Sequence, residues 1–141
     1  MISFSIQHVL LMRLLIQFNI NSPGTLHNLL FLVEAESLDR HDLGFYDFVR
    51  TKSGVFSRSV QSVLEQMVRN KYLVRQNLAI TELGRETYYL LATALRPFED
   101  YPDRSFAIMR RYKEEASALN RALQTNVLYR KVKVGEKIFK K

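Results

Sequence analysis

The residues with the clearest chemical role lie on one predicted helix that begins after Ser57. Its apolar residues recur at helical spacing and define a buried face: Val60, Val63, Leu64, Met67 and Val68. The opposite face is polar and carries Arg58, Ser62, Glu65 and Arg69, flanked by Ser59, Gln61 and Gln66. Arginine, glutamine and serine side chains bind phosphates or hydrogen-bond to base edges, and only Glu65 opposes them. These residue types indicate contact with nucleic acid, although any surface helix also has a polar outer face.

The positive charge of the chain is concentrated in two segments. The 141 residues carry a formal net charge of +7. Residues 50–85 contain seven bases and two acids, and residues 126–141 contain six bases and one acid, so each segment contributes +5. The remaining residues sum to −3. Such a concentration predicts a polyanionic partner.

The elements that must position this helix form a recognisable order. They are a helix in the segment of residues 1–18, a helix capped by Thr25 and reaching about Leu38, a strand over 45–51, the helix capped by Ser57 and ending near Asn70, a hairpin of residues 72–74 and 78–80, and a helix capped by Thr81 and stopped by Pro97. The last of these helices is expected to bury Leu83, Leu90, Leu91, Ala94 and Leu95. This order predicts a mainly α fold with a small β-wing, a winged helix-turn-helix with additional N- and C-terminal helices.

The fold predicts which side chains approach a duplex. The polar helix would enter the major groove, and Arg75 at the hairpin tip would lie over the sugar-phosphate backbone. The alternative for Arg75 is a plain solubilising role on a surface hairpin. The predicted nucleic-acid contacts are Lys52, Ser57, Arg58, Ser59, Ser62, Gln66, Arg69 and Arg75.

A long helix from about Asp103 to Gln124 carries an apolar seam with alternating spacings of three and four residues. This spacing is that of a two-stranded coiled coil, and packing against the chain's own domain would use the same stripe. We expect a homodimer with two DNA-reading helices about 34 to 36 Å apart, and therefore a palindromic target. The predicted dimer contacts come from this seam and from the first helix: Leu11, Leu15, Met109, Tyr112, Ala116, Leu119 and Leu123.

The chain is expected to divide into three segments. Residues 1–97 would form the winged-helix domain with its N-terminal helix, residues 98–127 the dimerisation helix, and residues 128–141 a basic tail. The tail is either a strand pair turning at Gly135 and Glu136, a flexible basic arm or a solvated terminus. The first two forms would add salt-dependent affinity for phosphate.

Catalytic and metal-binding patterns are weak in this sequence. It has no cysteine, no glycine-rich phosphate loop and no nucleophile elbow. His41 between Asp39 and Asp42 offers too few ligands for a metal, and His8 and His27 are expected to be partly buried or surface histidines. Arg13 interrupts the apolar N-terminal run, which argues against a membrane span. We therefore expect a cytoplasmic protein that is not an enzyme and needs no metal or cofactor.

Two short motifs give the chain a resemblance to a known family. Gly54, Phe56 and Ser57 precede the polar helix, and Ile80, Thr81, Gly84 and Arg85 open the helix after the hairpin. Over about residues 25–90 the chain resembles bacterial and archaeal winged-helix proteins that include the Panacea domains of antitoxins. The second motif is also similar to the multiple-antibiotic-resistance and phenolic-acid repressor groups. The resemblance implies a winged-helix DNA-binding regulator. The alternative is a winged-helix protein-interaction module, antitoxin-like or an assembly subunit, that does not read DNA sequence.

Overall fold

The fold is mainly helical with a small antiparallel sheet. A computed structural model describes residues 5–18, 20, 22–36, 45–93, 96, 107–108, 110–112 and 116–139. Its elements are α1 (Ile6–Gln17), α2 (Pro23–Ala35), β1 (Phe48–Arg50), β2 (Val55–Ser57), α3 (Arg58–Arg69), α4 (Glu82–Leu91), α5 (Ala116–Thr125) and α6 (Val127–Arg130). Residues 107–108 and 110–112 are also helical. The coarse fold class predicted from the sequence is therefore confirmed.

The first two helices form the centre of the core. Ser5 caps α1 in a capping box with His8, and Ser22 caps α2. The prediction that Thr25 caps α2 was wrong, because Pro23 occupies the first turn and moves the helix start upstream. The core residues of these helices are at most 7% exposed: Val9, Leu10, Leu11, Met12, Leu14, Leu15, Leu26, Leu29, Leu30, Phe31, Leu32 and Val33.

A short β-hairpin connects to the start of α3. Strands β1 and β2 are antiparallel, with Phe48 opposite Ser57, and the turn closes where the amide of Thr51 donates to the carbonyl of Gly54 over 2.8 Å. Asn28 of α2 accepts a hydrogen bond from the amide of Val55 at 3.0 Å. The sequence predicted β1 but not β2. The hairpin joins α3 directly to α2 and to the core.

Residues 73–80, predicted as a wing, form a narrow hairpin after α3, and we call this hairpin the wing for its place in the chain. Lys71 has a φ of 67° and turns the chain, after which Leu73 and Ile80 form a single antiparallel bridge. The amide of Val74 donates to the carbonyl of Ala79 at 2.8 Å. The wing therefore has its predicted position, with shorter pairing than the two three-residue strands expected.

Helix α4 begins at its predicted cap, Thr81, but its predicted buried face is only partly correct. Leu83 and Leu90 are 48% and 84% exposed, whereas Gly84 is buried. A Cβ atom at Gly84 would lie 2.4 Å from the carbonyl oxygen of Tyr72, so the helix rests on the wing backbone at this glycine. That contact leaves Leu83 and Leu90 facing outward, whereas Leu91 is partly buried and packs against the core as predicted. Ala94, Leu95 and Pro97 lie outside the described residues.

The C-terminal segment packs into the same core as the rest of the chain. Leu119, Leu123 and Tyr129 are 4%, 0% and 1% exposed. A guanidinium nitrogen of Arg50 donates to the carbonyls of Tyr129 and Val132 at 3.2 and 2.7 Å, and the guanidinium lies 4.3 Å from the Tyr129 ring centroid. Residues of all three predicted segments thus contribute to one hydrophobic core.

The described part of the basic tail is ordered against β1. The chain turns at Gly135, whose φ is 92° and whose amide donates to the carbonyl of Arg50 at 2.7 Å. The amide of Arg50 donates to the carbonyl of Glu136, and that of Ile138 to the carbonyl of Phe48, both at 3.0 Å. The turn lies where the sequence predicted it, and the pairing is with β1. None of the helices in the described ranges is both long and apolar enough to cross a membrane.

Candidate nucleic-acid interface

Ser57 caps α3 from a fully buried position. Its hydroxyl accepts the amide of Val60 at 3.1 Å and donates to a carboxylate oxygen of Asp47. The other oxygen of Asp47 accepts the amide and the hydroxyl of Ser59 at 3.0 and 2.8 Å. The predicted cap is therefore confirmed. Because Ser57 is 0% exposed, its side chain is removed from the predicted contacts.

Asp47 places a carboxylate at the N-terminus of α3. Partial burial alone would raise its pKa, but the hydrogen bonds from Ser57 and Ser59 outweigh burial and hold the pKa below its usual value. An ionised carboxylate is favourable beside the positive end of a helix. The exposed Ser59 is thus already bonded within the protein, and sequence reasoning missed Asp47 because its partners come from a later strand and helix.

His8 fixes one flank of α3. It is 5% exposed, and its Nδ1 accepts the amide of Ser5 at 3.1 Å. The Nε2 hydrogen is therefore available to Oε1 of Gln66, at 2.7 Å. Gln66 was predicted to contact nucleic acid. Its side-chain amide oxygen instead takes part in the hydrogen bond with His8 that links α3 to α1.

His27 fixes the opposite flank of α3. It is 2% exposed and its Nδ1 accepts the amide of Ser57 at 2.9 Å, while Nε2 lies 3.2 Å from Oε1 of Gln61. Its ring stacks on Phe56 with centroids 5.0 Å apart. The two buried histidines therefore hold α3 in one rotation. The presence of a histidine in each preceding helix and of two glutamines on α3 was the available signal.

The outward side of α3 is a row that we call the outer ridge: Arg58, Ser62, Glu65 and Arg69. These residues are spaced by four, three and four positions and so share one helix face. Arg58, Ser62 and Arg69 are exposed, as predicted for contacts with a partner. Lys52, also exposed, lies in the β1–β2 turn.

Glu65 is the acidic member of the outer ridge and binds the wing. Its carboxylate is 3.2 Å from a guanidinium nitrogen of Arg75, with the side chains 38% and 62% exposed. The amide nitrogen of Gln61 donates to the same carboxylate at 2.9 Å. Arg75 therefore reaches back onto α3 from the wing tip.

The positive charge predicted for residues 50–85 is mostly on the surface. The guanidinium of Arg50 points inward and donates to the backbone carbonyls of Tyr129 and Val132, so its charge does not contribute to this surface. The other six bases are exposed: Lys52, Arg58, Arg69, Lys71, Arg75 and Arg85. In the described tail, the exposed bases are Arg130, Lys131, Lys133 and Lys137. Six of the seven bases in residues 50–85 are therefore exposed, against the two acids Glu65 and Glu82 of the same segment.

The predicted dimer seam lies largely inside one chain. Leu11, Leu15, Leu119 and Leu123 are between 0% and 7% exposed and belong to the single core, and Tyr112 is half-buried. Because these side chains are already covered, we correct the prediction that they form a dimer contact. Met109 and the side chain of Ala116 lie outside the described residues.

Metal ligands are not grouped in the part of the chain that the structure describes. No set of three or more histidine, aspartate and glutamate side chains there is placed to hold an ion. The Asp39, His41 and Asp42 cluster lies outside the described residues.

Acidification is expected to weaken the fold through His27. Burial lowers its pKa below 6.5, although the Gln61 hydrogen bond and the Asp47 charge oppose this. Since the unfolded chain takes up the proton first, stability is full above 6.5 and falls as pH drops towards the lower pKa of the folded state. Urea unfolding between about pH 7 and pH 5 measures the loss, and His27→Gln should flatten it. An unchanged pH slope in that variant would contradict the assignment.

Comparison with known proteins adds no identification. The chain has no significant match to any protein-family model, curated protein or solved structure. Function therefore has to be argued from the site itself.

Proposed function

We propose that the protein binds duplex DNA through the outer ridge of α3 and acts as a winged-helix regulator of transcription. The observation that carries the proposal is the common exposure of Arg58, Ser62 and Arg69 on one face. The opposite side of the helix is buried in the core, where it contributes Val60, Leu64 and Met67.

The dimensions of the ridge suit a major groove. Arg58 and Arg69 are eleven residues apart, which is about 16 Å along a helix. The groove is about 12 Å wide, so the two arginines are far enough apart to reach phosphates on both of its sides. Ser62 lies between them and can donate to, or accept from, a base edge.

The order of elements supports the winged-helix interpretation. Strand β1, helix α3, the 73–80 hairpin and helix α4 follow one another in the order that the sequence predicted. Helix α1 precedes them and packs against α3, and α2 packs against β2 and reaches α3 through the hydrogen bond between His27 and Gln61. The additional strand β2 lies between β1 and α3. Its last residue, Ser57, is also the N-cap of α3.

Regulation through a palindromic site would require a two-fold dimer. The leucines of the predicted seam are used inside one chain, so such a dimer has to form through another surface. DNA binding by α3 does not depend on that surface, because the outer ridge belongs to one chain.

We expect Arg58→Ala with Arg69→Ala to abolish most of the DNA affinity. Loss of two phosphate contacts lowers the salt slope by about 2 and the affinity about fiftyfold near 0.1 M salt. Fluorescence anisotropy of a labelled mixed-sequence duplex at about 50 and 200 mM salt measures both quantities.

A matched double variant tests whether the loss of affinity depends on where the arginines lie or only on the total charge of the protein. Arg110→Ala with Arg121→Ala removes the same charge from exposed positions outside α3 and should leave most of the affinity intact. Equal losses in the two double variants, or binding without a salt slope in the wild type, would refute the proposal.

The outer face of α4 favours a second candidate, a protein-interaction module. Leu83, Tyr89 and Leu90 are 48%, 65% and 84% exposed. Exposed apolar groups of this kind often mark partner surfaces. This face differs from the first helix and C-terminal seam predicted for such a role, whose leucines are buried. The module would show no salt-dependent DNA binding, so the same anisotropy experiment distinguishes the candidates.

A further inference from the structure

The carboxylate of Glu65 stands in the middle of the outer ridge. It follows Arg58 by seven residues and precedes Arg69 by four, so the three side chains share a face. A surface selected only for phosphate binding would exclude a negative charge from this position, because it repels the backbone of any duplex. The position of Glu65 therefore calls for a different explanation from that of the arginines.

Glu65 is held by contacts from two sides. Arg75 of the wing lies 3.2 Å from one carboxylate oxygen, and Gln61 donates to the other at 2.9 Å. Gln61 is itself bonded to the buried His27. The carboxylate thus has two donors within the protein, and one of them is the arginine predicted to lie over the sugar-phosphate backbone.

We propose that Glu65 is a specificity-determining residue that suppresses sequence-independent binding by this surface. The inference rests on the proposed function and deepens it. The carboxylate repels bare phosphate and at the same time keeps Arg75 paired within the protein. In the major groove it accepts hydrogen bonds from amino groups, such as that of cytosine, so a suitable base sequence compensates for its charge.

The pair with Arg75 is suited to being exchanged. The side chains of Arg75 and Glu65 are 62% and 38% exposed, and ion pairs at such partly solvated positions are weak. When a base amino group satisfies Glu65, Arg75 is released to a phosphate at little cost. On a duplex without that donor, the Glu65 charge stays uncompensated beside the phosphates and offsets the charge of Arg75, so Arg75 adds no net affinity.

The test is the affinity of Glu65→Gln for a labelled mixed-sequence duplex. The substitution keeps the side-chain size and an acceptor for Gln61 but removes the charge. We expect about tenfold tighter binding near 0.1 M salt and a salt slope larger by 1 to 2, since one repulsion is lost and one arginine is freed. Glu65→Asp, which keeps the charge, should stay near the wild type.

Two further variants identify the mechanism. Arg75→Ala should change wild-type affinity less than about twofold, but cost about tenfold in the Glu65→Gln background, where Arg75 is free to bind phosphate. Glu86→Gln removes an exposed carboxylate from α4 and is the matched charge control, with little expected gain. Thermal unfolding of each variant verifies that the fold is intact.

The outcomes separate the inference from the proposed function. If the wild type binds with a salt slope that Arg58→Ala with Arg69→Ala lowers by about 2, while Glu65→Gln binds no tighter, the inference is overturned and the function stands. An equal gain in Glu86→Gln also overturns it. If neither the wild type nor Glu65→Gln binds duplex with a salt slope, the proposed function itself falls.

Discussion

Leu123→Ala is expected to lower the free energy of unfolding by about 3 kcal/mol, by the same amount at all protein concentrations. Leu123 is 0% exposed, and its helix α5 packs on α2 within the same chain. Truncation removes buried methyl groups and leaves a cavity that the neighbouring helices fill only in part. Urea unfolding at two widely different protein concentrations measures both the size of the effect and its concentration dependence.

An exposed leucine provides the matched control for this prediction. Leu90→Ala makes the same change on α4, where the side chain is 84% exposed, and should alter stability by less than about 0.5 kcal/mol. A midpoint that rises with wild-type concentration, and loses that dependence in Leu123→Ala, would instead place Leu123 between two chains.

Helix positions were predictable where short-range interactions determine them. Ser57 and Thr81 cap α3 and α4 as expected, since a capping hydroxyl binds an amide only three residues away. The apolar face of α3 was also predicted correctly, and Val60, Val63, Leu64 and Met67 are buried. Both features depend on residues three or four positions apart, so a local sequence pattern is enough to predict them.

The orientation of α4 depends on a contact that no local pattern contains. The leucines at positions 83 and 90 have the spacing of a buried stripe, yet Gly84 faces the core because the wing backbone approaches it. The pairing of the tail with β1 is of the same kind, because Arg50 and Gly135 are far apart in sequence. Periodicity reports that a helix has an apolar side, but it does not report which neighbour occupies that side.

The exposed residues of the candidate site could be predicted from the sequence, but the hydrogen bonds that hold its helix in place could not. The exposed arginines 58 and 69 were found from residue type and helical phase. The partner of Gln66, His8, is 58 residues away, and the carbonyl partners of Arg50, which was counted in the surface charge, are about 80 residues away. Polar residues are counted as surface residues by default, so a polar side chain with a distant partner is overlooked.

Gly84→Ala is expected to destabilise the protein by about 3 kcal/mol and to loosen the wing. The added Cβ would lie 2.4 Å from the carbonyl oxygen of Tyr72 and 2.8 Å from a side-chain carbon of Ile80. The nearest atom is backbone, and the same carbonyl accepts the amide of Thr81 at 2.9 Å, so relief requires moving the wing relative to α4. Urea unfolding gives the free energy, and amide exchange at Thr81 reports the wing.

Gly24→Ala is the matched control, because a Cβ there meets nothing within 4 Å. It lies in the first turn of α2 and should leave stability unchanged or raise it by up to about 1 kcal/mol through the helix propensity of alanine. The same propensity gain applies at Gly84, so a net loss there isolates the steric contact with the wing. Equal effects of the two substitutions would mean that α4 does not rest on the Tyr72 carbonyl, and that its leucines are free to turn inward as the sequence pattern predicts.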